Sequence, residues 1–197
     1  MPPWRPAAMN VIQGAVVKRP TLCYSAVGFS VFATGDVMAQ HLEGLAADWD
    51  YRRSLSIGLL GIVQNGFFLR IWYRALDKFV TPKTDLKSVL KKIACDEAVF
   101  APQLACSYLA SSAYIQQPGD WDAVRNNVRE KAFTTWQNDL KLWPMANLVG
   151  FSLVPRPIRP LYASGVQLVW QCYLSTVGFA ATSAVAPAVA VQPENPQ

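Results

Sequence analysis

The sequence predicts an all-α integral membrane bundle, with about four transmembrane helices plus interfacial or re-entrant amphipathic helices. Three observations lead there. Charged residues make up only 16% of the 197 positions, where a soluble chain carries about a quarter. Hydrophobic residues reach 52% and the mean hydropathy is +0.15, which excludes a disordered chain and is high for an ordinary soluble domain. The charges are also unevenly placed, leaving 20–35, 54–69, 98–119, 142–155 and 160–193 without Asp, Glu, Lys or Arg.

Crossing roughly 30 Å of hydrocarbon takes about 20 mostly apolar residues in a helix. The first block reaches that length if it continues through Asp36 to Leu42. The second does so if it runs through Arg70 to the Trp72-Tyr73 pair. The third and fifth blocks suffice alone. The fourth is short, carries Pro144 and ends at Pro155, so it reads as an interfacial, re-entrant or tilted helix.

Over 121–141, apolar residues recur at Trp121, Val124, Val128, Ala132 and Trp136, with Arg125, Arg129, Lys131 and Asp139 off that stripe. The spacing predicts a helix lying on a surface, started by the acids Asp120 and Asp122. Segment 83–92 reads as a water-exposed approach to the third span. A soluble helical domain is the alternative, weakened by the scarcity of amphipathic helices able to coat such a core.

The expected organisation is a basic amino-terminal segment over 1–19, a membrane-embedded helical domain over 20–185 and an irregular Pro-rich tail over 186–197. Before Asp36 the only charges are Arg5, Lys18 and Arg19. This acid-poor, basic start resembles mitochondrial import signals, but Pro2, Pro3 and Pro6 oppose a helix at the terminus, so internal targeting is expected. The formal charge of +5 lies around apolar runs and forms no basic face with interleaved aromatics, which argues for juxtamembrane charge and against nucleic acid.

Four cysteines, Cys23, Cys95, Cys106 and Cys172, form no CxxC pair, and His41 is the single histidine. The usual zinc sets are thereby excluded, and the cysteines read as small apolar residues in a reducing compartment. No GxGxxG, Walker loop, HExxH or GxSxG occurs, so no catalytic or cofactor-binding residue is assigned.

Asp36, Arg70, Asp96 and Glu97 fall within or at the edges of the predicted spans, with Arg159 beside the last one. A charge at a helix centre costs about 2.5 to 3.5 kcal/mol on insertion scales unless it is paired or wetted. Either these residues line a polar path through the bundle, or they form ion pairs and hydrogen bonds that hold helices together. Gly28, Gly35, Gly58, Gly61, Gly165 and Gly178 allow close helix contact. Trp4, Trp49, Trp72, Trp143 and Trp170, with Tyr51, Tyr73 and Tyr173, are candidates for interface anchors, core packing being the alternative for Trp170.

Trp143-Pro144, Phe151, Val154-Pro155, Arg159, Trp170 and Tyr173-Leu174-Ser175 resemble the carboxyl-terminal signature of the Mpv-seventeen family, also called the 22-kilodalton peroxisomal membrane protein family. Upstream, Pro20-Thr21, Gly35-Asp36, Gln40, Arg53, Gly58, Trp72-Tyr73, Leu76, Asp96 and Ala101-Pro102 resemble its other landmarks in order. Gly66-Phe67 stands where the family usually has Gly-Pro, Arg70 where a histidine or small residue is common, and Glu97, Asn147 and Gly150 replace Gln, Gln and Asn.

The resemblance implies a small helical protein of the mitochondrial inner membrane or the peroxisome, without enzymatic activity, in a family linked to poorly selective solute channels. The function expected is a non-enzymatic accessory subunit of a larger inner-membrane complex, its ends laid on neighbouring subunits. The alternative is a small-solute channel. The expected partners are the lipid bilayer, other membrane subunits and a bound phospholipid.

Overall fold

A computed structural model describes residues 19–45, 47–79, 91, 93–154 and 159–181. Among these residues all regular structure is helical. Helix α1 spans Pro20–Leu42. Helix α2 (Tyr51–Gly61) runs through a π-helical turn, Ile62–Phe68, directly into α3 (Leu69–Phe79). A second π turn, Asp96–Phe100, feeds α4 (Ala101–Gln116). Helix α5 spans Trp121–Ser152 and α6 spans Arg159–Phe179. The expected 1–19 segment except Arg19, the approach 83–92 except Lys91, Pro155 and the 186–197 tail lie outside the described residues.

Chain chemistry sets the ends of these helices. Pro20 opens α1, where a missing N–H costs nothing. Gly44, at φ +80°, closes it: the Gly44 N–H bonds His41 O at 3.2 Å and the Leu45 N–H bonds Gln40 O at 2.9 Å. This is the paired arrangement of a Schellman turn, which needs a left-handed residue. Asp50 caps α2 by accepting from the Arg52 and Arg53 N–H groups. Asp120 caps α5 in the same way through Asp122 and Ala123.

Both π turns have visible registers: the Leu69 N–H reaches Gln64 O and the Ala101 N–H reaches Asp96 O. In the second, Pro102 follows immediately. Its ring would press on the carbonyl four residues back in a regular helix, and widening the preceding turn relieves that contact.

Helix α1 packs against both α2 and α6, and α4 packs against α5 and α6. Glycines set the tightest crossings. A Cβ on Gly28 would run into the carbonyl of Gly61, and one on Gly61 into that of Gly28. Gly35 lies against Gln171 and Cys172, Gly58 against Phe29, and Gly178 against Ser112. Gly165 meets nothing within 4 Å, so it takes no part in the close packing expected of it. The core is Phe32, Ile57, Tyr108, Trp170 and Leu174.

The outside is apolar. Leu55, Leu59, Val63, Phe67 and Ile71 are all exposed, and their four-residue spacing makes one stripe along the α2–α3 rod. Polar Gln64 on the same rod is buried. Among the described residues one helix, over Thr21–Leu42, is by itself long and apolar enough to cross a membrane.

A correction concerns α5. The expected surface helix over 121–141 and the separate short block from 142 are one helix, with Pro144 inside it. The buried positions are Asn127, Thr135, Asp139 and Ala146, while Trp121 is exposed. Helix α5 therefore turns a polar row inward in place of the predicted apolar stripe. Packing on α4 and α6, with Tyr162 Oη donating to Ala146 O beyond the proline, offsets the roughly 3 kcal/mol that a helix-interior proline costs. Cys172 alone is buried among the four free cysteines; the other three are half-buried.

Candidate functional site

Two polar features stand inside this apolar shell. The first is a junction of α1, α2 and α6. Asp36 is fully buried and accepts from Arg53 Nε at 2.8 Å, Gln40 Nε2 at 2.8 Å and Ser54 Oγ at 2.7 Å, as well as from Ser175 Oγ. Arg53 turns the other edge of its guanidinium to Glu43, with bonds of 2.7 and 3.0 Å, and reaches Ser175 Oγ at 3.0 Å. The Phe179 ring lies 3.8 Å from the guanidinium carbon. Gln40 also binds both the N–H and the carbonyl of Asp50, fixing the start of α2.

Every oxygen of Asp36 is thus used, and the charge pair is compensated by hydrogen bonds as burial demands. This junction holds helices together. The basic partner of Asp36 is Arg53, and the Arg70 side chain lies outside the described residues.

The second feature is a cavity of about 500 Å³ among α1, the first π turn, the second π turn with α4, α5 and α6. Asp96, Glu97 and Asp139 supply carboxyl groups to its wall, and Gln64, Asn65, Asn147, Gln167 and Gln171 supply amides. Both π turns lie at this wall, as such widened turns often do at functional sites. Among the described lining residues there is no Lys, Arg or His.

Trp72 Nε1 donates to Asp96 Oδ1 at 2.7 Å while its ring stacks on Phe100, 5.3 Å between centroids. Trp136 Nε1 donates to Glu97 O at 2.8 Å. The Glu97 and Asp139 carboxyl groups lie within interaction distance of each other, with Trp143 beside Asp139. Two carboxyl groups in such contact need a shared proton or a neighbouring cation. Glu97 Oε2 and Gln171 Oε1 are buried without a hydrogen-bond partner.

Of the residues singled out in the sequence, Asp36, Gln40 and Ser175 meet at the junction, with Gly35 in close contact beside them. Asp96, Glu97, Trp143, Trp170 and Leu174 meet at the cavity. Pro102 shapes the second π turn, and Tyr173 Oη accepts from Asn138 Nδ2 at 2.7 Å while its ring stacks on Trp170. The side chains of Tyr73, Phe151 and Arg159, like that of Arg70, lie outside the described residues.

Gln171, Gln64 and Asp139 are cavity residues that sequence reasoning missed. For Asp139 a signal existed: Asn127, Lys131, Thr135 and Asp139 recur every fourth residue, one face of a helix.

The fold and site define a helical membrane protein with an acidic cavity. The family model described as "Mpv17 / PMP22 family" matches residues 115–175. PXMP2/4 family protein 2 of Dictyostelium discoideum is 34% identical, over 76% of this chain and 79% of its own length. Protein sym-1 of Neurospora crassa is 31% identical over 80% and 91%. Mitochondrial inner membrane protein Mpv17 of Drosophila melanogaster is 31% identical over 75% and 89%. No solved structure matches significantly. The chain belongs to the Mpv17 / PMP22 family, and its place is the mitochondrial inner membrane.

Proposed function

We propose that this protein is a multi-span bundle whose acidic cavity takes up small polar solutes and passes them across the inner membrane. One observation carries the reading: carboxyl and amide groups from four parts of the fold, the two π turns, α5 and α6, line a single cavity in a bundle with an apolar exterior. Carboxyl groups among lipid-facing helices are costly unless wetted or engaged by a ligand, so three around one void mark a place for a solute. In this reading α1, the α2–α3 rod, the helix entering through the second π turn and α6 cross the bilayer. Their exposed apolar faces meet lipid, and their polar residues turn inward.

Liposomes containing the purified full chain test the reading. Small polar solutes should escape faster than from protein-free vesicles, and Asp139→Asn should change the rate. Efflux equal to that of empty liposomes in several lipid mixtures overturns it.

The accessory-subunit reading has its own support in an open, largely apolar groove of about 430 Å³ lined by residues that include Leu59, Leu60, Tyr114 and Trp121, which a neighbouring subunit or a phospholipid chain would cover. Migration in a large assembly on native electrophoresis favours it. Migration as a monomer or small homo-oligomer counts against it.

A further inference from the structure

We infer that the cavity selects small organic cations, molecules carrying an ammonium or guanidinium group on a short aliphatic stem. The inference rests on reading the cavity as a solute site and adds the chemistry of the solute. Charge is the first argument. Asp96, Glu97 and Asp139 face a void to which no described basic residue contributes, so a cation entering it meets carboxyl groups with no described positive charge opposing it.

Hydrogen bonding is the second argument, and through Gln171 it is independent of the acidic cluster. Gln171, on α6, is 3% exposed and lines the cavity, and its Oε1 has no partner. Glu97 Oε2, at the second π turn, also has none. Both orphaned atoms are acceptors. They are satisfied by a ligand bringing N–H donors, whereas a carboxylate or phosphate would add further acceptors.

The walls supply the third. Phe100, Trp143 and Trp170 present aromatic surface to the void, which suits an ammonium or guanidinium group and its methylenes. Among the described residues no three His, Cys, Asp or Glu side chains gather closely enough to hold a metal ion. Hydrogen bonds and ring faces, rather than a coordination shell, therefore meet the charge, and a void of about 500 Å³ leaves room for a carbon stem.

The test uses the detergent-purified full chain and calorimetric titration with n-butylammonium, n-butanol, butyrate and potassium chloride. n-Butylammonium should bind saturably, butanol and butyrate should not, and a tenfold excess of potassium should leave the affinity nearly unchanged. Glu97→Gln and Asp139→Asn should each weaken binding at least tenfold. Gln171→Leu should weaken it several-fold, giving a check that leaves the carboxyl groups in place.

Equal binding of butanol, preferred binding of butyrate, full displacement by potassium, or no binding of n-butylammonium each overturns the inference. The liposome assay separates this from the broader reading. Efflux of neutral solutes without n-butylammonium binding leaves solute passage standing and removes the cation preference. Binding without any efflux does the reverse.

Discussion

Replacing Arg53 by methionine leaves Asp36 buried at the α1–α2–α6 junction without its counter-charge. Breaking one side of a buried ion pair costs about 3–5 kcal/mol, because the remaining charge keeps its desolvation penalty. Asp36 stands at 0% exposure with four hydrogen-bond donors around it, and Arg53→Met removes the only cation among them. Chemical denaturation in detergent should show a loss of that size. The double variant Asp36→Leu, Arg53→Met should recover part of it, since no lone charge is left inside. A double variant no more stable than the single one would show that the pair is not coupled. Sequence inspection had marked Asp36 as needing a partner but could not name it, because Arg53 lies 17 positions away and Ser175 lies 139 away, and only packing brings them together.

The helices make their own predictions. Gly28→Ala and Gly61→Ala each put a methyl group against a facing carbonyl of the α1–α2 crossing. Forcing these helices apart should cost about 1–3 kcal/mol, in the range of overpacked cores. Gly165→Ala, with nothing within 4 Å, should be neutral or slightly stabilising, because alanine restricts the unfolded chain and fits a helix. Thermal melts of the three variants check this contrast. At the helix ends, Asp120→Ala removes an acceptor for two N–H groups and should cost about 1 kcal/mol. The glycine crossings were half legible: small residues in apolar blocks announce close contact, yet Gly165 and Gly28 look alike until the helices are rotated into place.

For the whole molecule, the exposed apolar stripe from Leu55 to Ile71 and the exposed Leu22, Val27 and Leu42 of α1 make a surface that water does not favour. Mitochondrial membranes washed with alkaline carbonate should retain the protein in the pellet, and detergent should release it. Recovery in the supernatant without detergent contradicts the membrane assignment. The cavity belongs to this scale too, because its wall is assembled from α1, both π turns, α3, α4, α5 and α6. No single helix contains a site.

Composition and hydropathy are local quantities, and they determined the local facts: helical class, a membrane solvent, the first helix at Pro20–Leu42, and family membership through ordered motifs. They also flagged Asp36, Asp96 and Glu97 as charges in need of an explanation. What they could not decide was which helix faces which, since an averaged hydropathy carries no rotation angle. Tertiary packing joined 121–141 to the following block as one helix across Pro144, turned Asp139 inward, chose Arg53 for Asp36 and brought Gln171 and Glu97 to the wall of one cavity. Contacts between residues far apart in the chain depend on how side chains fill the space between helices, and that is settled only when every helix is packed at once.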